Sequence, residues 1–280
     1  MNHYRTLGLV LAAMLSAPLS ASAASYEWTF NNGTLGDAFA LGTMQAVGST
    51  VPNIIDTNGT TIPHIGGAPA KVLSVPVFNN DADGFNLALN ATGPNGTGLY
   101  VNQYTFIFDV YSPGAANWRA LIQTDPTNAS GNDADWYIAN DNSLGIAALG
   151  YTAADIIQQE TWYRIALAVD LAEGRVTYYV DGVPVFQGFS GIKDGRFALY
   201  SNVDPGDDVR LFNEGDTSGN YTNEMYINSV AFVDREMTEV ELGELGAPKA
   251  TGILVPEPAT GILALTGLVL PFLRRRRFAS

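Results

Sequence analysis

Oxygen-bearing side chains are concentrated in the segment 213–224, which reads NEGDTSGNYTNE. Acids and amides alternate there around two glycines, and carboxylate and carbonyl oxygens are the ligands that Ca²⁺ takes, about six to eight at a time. The spacing is not that of an EF-hand, and a solvated hairpin loop that binds nothing is the alternative interpretation. The segment predicts a structural calcium site at four residues: Glu214, Asp216, Asn220 and Glu224.

Other groups of potential metal ligands are interpreted as structural. Acidic clusters at 81–83, 133–135 and 204–208 are typical of turns, where Asp accepts local hydrogen bonds from the backbone. His64 is the one histidine beyond the first few residues, and a lone histidine does not make a zinc site. Cysteine is absent, which excludes thiolate metal sites and disulfides.

Aromatic residues border a long polar segment, 124–135, between two predicted strands. They are Trp118, Trp136 and Tyr137. Aromatic rings beside Asp and Asn can stack on the faces of sugars while the polar groups accept bonds from hydroxyls. The alternative is that the tryptophans lie in the core and the tyrosine spans the sheet. The pattern predicts a ligand-binding site at these three residues.

Catalytic constellations are not found in the sequence. There is no cysteine nucleophile and no G-x-S-x-G turn of the hydrolase type. Glycosidases need two carboxylates that flank the scissile bond, and no E-x-D-x-E run is present. The nearest acidic cluster, at 239–244, falls on a predicted helix. We therefore predict that the protein is not an enzyme.

The segment 161–187 contains the clearest strand pattern. Apolar residues occupy every second position from Tyr163 to Val169 and again from Val176 to Val180, which predicts strands with one buried face. Asp181-Gly182 between the second and third runs favours a type I′ hairpin turn. Pro184 cannot donate to a ladder, so the third run is predicted to be an edge strand or a short return strand. Together they predict an antiparallel meander.

Further strands and one helix complete the predicted domain. The strongest other strand is 99–111, and shorter ones are indicated near both ends of the segment 25–234. Thr238 with Glu241 three residues later predicts a capped helix, and Gly246 is placed to end it. This helix is too short to be stable alone, so it is expected to lie over the sandwich and cover an edge or an end.

The charge of the domain excludes one class of function. Nine basic and 27 acidic residues lie between positions 25 and 252, a difference of −18 within a chain of net charge −14. Such a domain repels nucleic acid phosphates and anionic lipid headgroups. Nucleic acid is therefore excluded as a partner.

The first 24 residues have the three parts of a secretory signal peptide. Arg5 gives the positive region, 7–15 is the apolar region, and Ala21-Ser22-Ala23 is a cleavage signal. An uncleaved membrane anchor is the alternative, but the apolar run is short. Export is therefore predicted.

The C-terminus combines a proline-acid motif, an apolar run at 259–273 and an arginine cluster. The residues are Val255, Pro256, Glu257, Pro258, Arg274, Arg275, Arg276 and Arg277. The run of 15 is short for a membrane span of about 20 residues, and the arginines would hold its end at the cytoplasmic face. This order resembles the PEP-CTERM sorting signal of Gram-negative bacteria. The resemblance implies an exosortase-type processing enzyme as partner, transient insertion in the inner membrane, and release to the cell surface or extracellular matrix. A plain C-terminal anchor is the alternative.

The residues 162–182 and 225–245 carry a second resemblance. A Trp-Tyr-Arg strand, a Tyr-Tyr-Val-Asp-Gly hairpin and a closing strand with a short helix are similar to laminin-G-like domains of the concanavalin A-like lectin/glucanase group. The resemblance implies an all-β, two-sheet antiparallel jelly-roll sandwich with a short C-terminal capping helix. It also makes a structural Ca²⁺ and a carbohydrate ligand the favoured expectations.

The predicted organisation has four parts: signal peptide 1–24, laminin-G-like β-sandwich domain 25–246, linker 247–254, and sorting signal 255–280 with its apolar helix. The predicted function is an exported, non-catalytic binding module of the cell surface or exopolysaccharide matrix, with carbohydrate as ligand and calcium as structural cofactor. The alternatives are a structural matrix protein without a specific ligand, and a polysaccharide hydrolase.

Overall fold

The computed structural model describes residues 25–89, 93–114, 116–124, 134–190, 192–199, 209–214 and 222–253. The predicted signal peptide and the sorting signal 255–280 lie outside these residues. No helix within the described ranges is long and apolar enough to cross a membrane.

Fifteen strands and one α-helix are present in the described residues. The first strands are β1 (Ser25–Thr29), β2 (Thr43–Val47), β3 (Asn53–Asp56), β4 (Lys71–Val75), β5 (Gly84–Ala88), β6 (Gln103–Tyr111) and β7 (Arg119–Gln123). The later elements are β8 (Asp135–Ile138), β9 (Leu144–Ile146), β10 (Gly150–Tyr151), β11 (Trp162–Asp170), β12 (Arg175–Val180), β13 (Val183–Phe189), β14 (Val209–Leu211), β15 (Met225–Val233) and the helix α1 (Glu239–Leu245).

The strands form two antiparallel sheets that pack face to face. Sheet A has the order β13-β12-β11-β6-β15-β4-β3, and β1 also pairs with β15. Sheet B has the order β10-β9-β8-β7-β14-β5-β2. The prediction of an all-β, two-sheet antiparallel sandwich with one short helix is confirmed, as far as the described residues extend.

Alternating residues of both sheets fill the space between them. Tyr104, Phe106 and Phe108 of β6 and Val176 and Tyr178 of β12 all lie in this core and are fully buried. Because successive side chains of a strand point to opposite faces, the alternation seen in the sequence decides which residues are inside. Burial of each such side chain contributes about 1.5–3 kcal/mol relative to its exposure.

The predicted meander is present as β11, β12 and β13. Asp181 and Gly182 have φ values of 50° and 81°, which are the positive angles of a type I′ turn. β13 is the edge strand of sheet A, as the presence of Pro184 predicts. It runs to Phe189, beyond the predicted return, and a bulge between Tyr178 and Tyr179 accommodates the proline.

The helix α1 begins after the predicted capping pair, and it packs on the outer face of sheet A rather than over an edge or an end of the sandwich. The Thr238 side chain accepts a hydrogen bond from the Glu241 backbone N–H, and Glu241 accepts from the Thr238 backbone in return. Leu242 and Met237 are buried against the outer face of sheet A, together with Ile107 and Ala166. The capping pair thus determines where the chain turns back onto the sheet.

A buried ion pair lies on the same outer face of sheet A. Arg164 of β11 forms two hydrogen bonds with Asp109 of β6, at 2.7 and 2.8 Å, and both side chains are at most 2% exposed. Arg164 also donates to the carbonyl oxygens of Leu245 and Gly252, at 2.9 and 3.2 Å. The residues that the sequence indicates as a linker, 247–253, therefore lie against the sheet and cover a charged pair.

Candidate functional site

Two of the three aromatic residues predicted to bind a ligand lie together on the outer face of sheet B. The Trp118 ring meets the Tyr137 ring edge-on, with centroids 5.6 Å apart, and meets Tyr151 in the same way at 6.1 Å. Tyr137 and Tyr151 both pair with Gly145, whose lack of a side chain leaves room for them. We call Trp118, Tyr137 and Tyr151 the aromatic cluster.

Trp136 lies apart from this cluster because it points the other way. It precedes Tyr137 on β8, and adjacent residues of a strand face opposite sides. Its side chain is 1% exposed and contacts Phe108 and Tyr178 in the core. Trp136 therefore does not line a surface site in this structure, and we leave it out of the candidate site.

The hydroxyl of Tyr137 reaches an acidic part of the same face. It donates a 2.6 Å hydrogen bond to Oε2 of Glu214, which is 3% exposed. Burial, followed by the carboxylates of Asp135 and Glu214, strongly raises the pKa of Tyr137. The phenol thus keeps its proton and acts as a hydrogen-bond donor between two acids from separate segments of the chain.

The residues predicted to bind calcium are only partly described. Glu214 lies beside Tyr137, whereas Glu224 is exposed and accepts a hydrogen bond from the hydroxyl of Tyr226. Asp216 and Asn220 lie outside the described residues. Within the described ranges, no group of three or more His, Asp or Glu could hold a metal ion. The predicted calcium site stays a prediction.

An open groove of about 550 Å³ lies on the outer face of sheet A. Its floor is formed by β12 and β13, and its wall is formed by the residues that lead into α1. The residues on which its chemistry depends are Arg175, Thr177, Tyr179, Gln187, Glu236 and Glu239. We call it the α1 groove.

Alternation along β12 explains the polar floor of the α1 groove. Val176, Tyr178 and Val180 face the core, so Arg175, Thr177 and Tyr179 face outward. Across the strands, Thr177 pairs with the exposed Gln187, and Arg175 pairs with Phe189, which is 77% exposed. The groove thus presents hydroxyl and amide groups, and the exposed ring of Phe189 lies next to Arg175 on the same face.

Arg175 is held in one orientation at the side of the groove. Its Nε donates to Glu236 at 2.9 Å, and its guanidinium lies 3.6 Å from the carboxylate of Asp170. The hydrogen bond with Glu236 is the main reason that the pKa of Arg175 is raised. Glu236 is therefore engaged in an ion pair, while Glu239 at the wall is exposed. The arrangement suits hydrogen bonding to a polar, extended ligand.

The sequence predicted the aromatic cluster in part and did not predict the α1 groove. The sequence signal for the groove is the alternation in 175–180, where polar residues that face outward alternate with apolar residues that face the core. What the sequence does not indicate is that the turn 236–239 lies beside that set. This contact depends on how the chain closes onto sheet A.

Comparisons with known proteins bear on the fold. No protein-family model matches the chain, and the comparison with curated proteins gives no match. Solved structures similar to it include a mutant Trypanosoma rangeli sialidase displaying trans-sialidase activity, with 13% identity and a TM-score of 0.51. The alignment covers 80% of this chain and 32% of the sialidase chain. At this identity the similarity concerns the fold alone.

Two further similar structures have TM-scores below 0.5. Domain 4 of AbnA, a GH43 extracellular arabinanase from Geobacillus stearothermophilus in complex with arabinotriose, has 17% identity and a TM-score of 0.47 over 80% of this chain and 99% of that one. The binding domain of botulinum neurotoxin serotype G has 13% identity and a TM-score of 0.49 over 79% and 49%. We draw nothing about ligands from either.

Proposed function

We propose that this protein is an exported, non-catalytic module that binds carbohydrate through the α1 groove at the cell surface or in an exopolysaccharide matrix. The observation that carries the proposal is the groove itself. It is open and is lined by Thr177, Gln187 and an exposed carboxylate. The exposed Phe189 is the cross-strand neighbour of Arg175 and therefore lies on the same face. Sugars present hydroxyls to polar groups and apolar faces to rings, so this lining suits them.

The charges around the groove favour neutral sugars over acidic ones. Arg175 is engaged by Glu236 and Asp170, and Glu239 adds a further negative charge. The segment 25–252 has 27 acidic and nine basic residues, so its field repels polyanions. We therefore propose a neutral or amino-sugar glycan as the ligand class rather than a uronic acid polymer.

The proposed cellular location of the protein is based on the sequence patterns at its two ends. A signal peptide at 1–24 would direct export, and the motif at 255–258 with the arginines at 274–277 would be processed by an exosortase-type enzyme after transient insertion in the inner membrane. Calcium bound near the segment 213–224 would be a structural cofactor. These features rest on sequence patterns.

The test is a glycan array probed with the purified protein, followed by calorimetry on the glycans retained. We expect neutral glycans to be bound, and we expect Gln187→Ala and Phe189→Ala each to weaken binding by about tenfold, the effect of losing one hydrogen bond or one ring contact. Both residues are exposed, so the melting temperature should not change.

Trp118→Ala is the matched control, because it removes a ring on the opposite sheet. Loss of binding in Trp118→Ala with unchanged binding in the groove variants would place the sugar at the aromatic cluster instead. Absence of binding to any glycan, with or without Ca²⁺, would favour a structural matrix protein. Polysaccharide turnover that is abolished by Glu239→Gln would identify a hydrolase.

A further inference from the structure

Gln123 of β7 is a buried amide without a partner. Its side chain is fully buried, and within the described ranges neither its Oε1 nor its Nε2 makes a hydrogen bond. Ile122 beside it faces the core with Trp136, so Gln123 points to the outer face of sheet B. Buried polar groups in proteins are nearly always hydrogen-bonded or bound to a ligand. An amide left without either marks a place where a water, an ion or another polar ligand can bind.

Two carboxylates converge on the position of Gln123. Asp135 is its cross-strand partner on β8, and directly opposed residues share a face and lie side by side. Tyr137, two residues further along β8, donates to Glu214, which lies three residues after the end of β14. The carboxylates of Asp135 and Glu214 both lie close enough to that hydroxyl to raise its pKa. Gln123, Asp135 and Glu214 are thus brought together from three separate segments.

The basic residue on the other side of Gln123, Arg210, directs its guanidinium away from the two carboxylates. Arg210 of β14 is the cross-strand partner of Gln123 on its other side. Its guanidinium donates to Asn86 and to the carbonyl oxygens of Asp81 and Asp83, the last two at 3.0 and 3.1 Å. The chemistry of the cluster is therefore that of oxygen donors and negative charge.

We propose that Asp135, Gln123 and Glu214 bind one Ca²⁺ ion on the outer face of sheet B. The donors are two carboxylates and an amide oxygen, and water completes the coordination shell. Ca²⁺ prefers such oxygen ligands, whereas softer metals prefer nitrogen or sulfur. A water on the ion can also accept from the amide nitrogen of Gln123. The hydrogen bond from Tyr137 orients Glu214 toward the ion.

This site differs from the calcium site that the sequence predicts. The two sets share only Glu214, and Glu224 is engaged with Tyr226 instead. The site also lies on the sheet opposite the α1 groove, so it does not depend on carbohydrate binding. Glycan binding without calcium binding, or the reverse, would separate the two proposals.

The test measures Ca²⁺ binding by calorimetry and the melting temperature of the full chain with Ca²⁺ or with a chelator. In the unaltered protein, one equivalent of Ca²⁺ should bind and raise the melting temperature, because a ligand of the folded state stabilises it. Asp135→Asn should weaken Ca²⁺ binding by at least about tenfold, since affinity follows the number of charged ligands. Mg²⁺ in place of Ca²⁺ serves as the ion control.

Gln123→Met keeps the test decisive if Asp135→Asn does not fold. Met has a similar volume and no polar group, so it should raise the melting temperature in chelator and also abolish the increase caused by Ca²⁺. A merely structural glutamine would not produce that pair of changes. Glu224→Gln is the matched control and should keep the response.

Two results would overturn the proposal. One is the absence of any Ca²⁺ binding by the chelator-treated protein. The other is a Ca²⁺ response that persists in Gln123→Met and disappears in Glu224→Gln, which would place the ion in the segment 213–224 as the sequence predicts.

Discussion

Glu241 shows how one side chain can link the turn before α1 to its first helical residues. Its carboxylate accepts hydrogen bonds from Arg235 at 2.7 and 2.9 Å and from the Thr238 backbone at 2.8 Å. The contact with Arg235 is the main reason that the pKa of Glu241 falls to about 2 from its usual 4.5. The charged form of Glu241 is therefore favoured in the folded state.

This shift predicts a pH dependence of stability. Because the pKa of Glu241 is lower in the folded protein than in the unfolded chain, its contribution is fully present above about pH 4.5 and is lost as the pH falls toward about 2. Glu241→Gln should therefore lower the urea midpoint at neutral pH and flatten the fall of the midpoint across that acidic window. Urea titrations at several pH values measure both effects.

Glu244→Gln is the control for Glu241→Gln. Glu244 is exposed on the same helix. Its substitution should leave the dependence of the urea midpoint on pH as it is in the unaltered protein. A parallel loss of slope in both variants would contradict a specific role for Glu241. The same comparison tests whether the capping pair, rather than general charge on α1, stabilises the helix.

At the scale of elements, the tip of the β12–β13 hairpin is fitted against α1. A Cβ atom added at Gly182 would lie 2.7 Å from the carbonyl oxygen of Leu242 and 2.9 Å from Cα of Gly243. Both contacts are with backbone, which cannot rotate away. The hairpin turn and the helix are therefore positioned by each other, and the α1 groove lies along the same pair of elements.

Gly182→Ala is expected to destabilise the protein by about 2 kcal/mol or more. Its φ of +81° is unfavourable for alanine, and the clash with α1 adds an overpacking cost. The free energy of unfolding in urea is the measurement. Gly59→Ala is the matched control, because Gly59 has a φ of +78° with nothing near the added Cβ, and it should cost only about 1 kcal/mol. Equal losses in the two variants would contradict the contact between hairpin and helix.

At the scale of the whole molecule, the two ends of the domain meet on sheet A. Ile253 donates its backbone N–H to the buried carboxylate of Glu27 at 2.6 Å, and Asn228 donates to the carbonyl of Lys249 at 2.9 Å. The segment 247–253 also covers the Asp109–Arg164 pair through the carbonyl of Gly252. It thus behaves as part of the domain and adds hydrogen bonds to three buried polar or charged side chains, those of Glu27, Asn228 and Arg164.

A form of the protein that ends at Gly246 should be destabilised by about 3 kcal/mol or more relative to one that ends at Ile253. It loses three hydrogen bonds to buried polar or charged groups, each worth about 0.5–3 kcal/mol. Urea unfolding followed by tryptophan fluorescence compares the two. An equal midpoint would show that the segment 247–253 contributes nothing to the fold.

The sequence by itself determined the local features of this protein. Alternation from Tyr163 to Val169 decided which side chains face the core, Asp181-Gly182 decided the turn, and Thr238 with Glu241 decided where the helix begins. Each of these depends on residues a few positions apart, whose steric and hydrogen-bonding preferences act wherever the segment lies. Alternation alone also separates Trp136 from Tyr137.

Only the tertiary structure decided which distant residues meet. Gln123 and Asp135 come from two strands and Glu214 from the segment after a third, and the α1 groove needs the turn 236–239 to lie beside β12. The sequence assigned the acids at 133–135 to an ordinary turn because nothing local distinguishes a turn acid from a ligand. Strand order and register bring these groups together, and both follow from the packing of the whole sandwich, since no short-range preference specifies them.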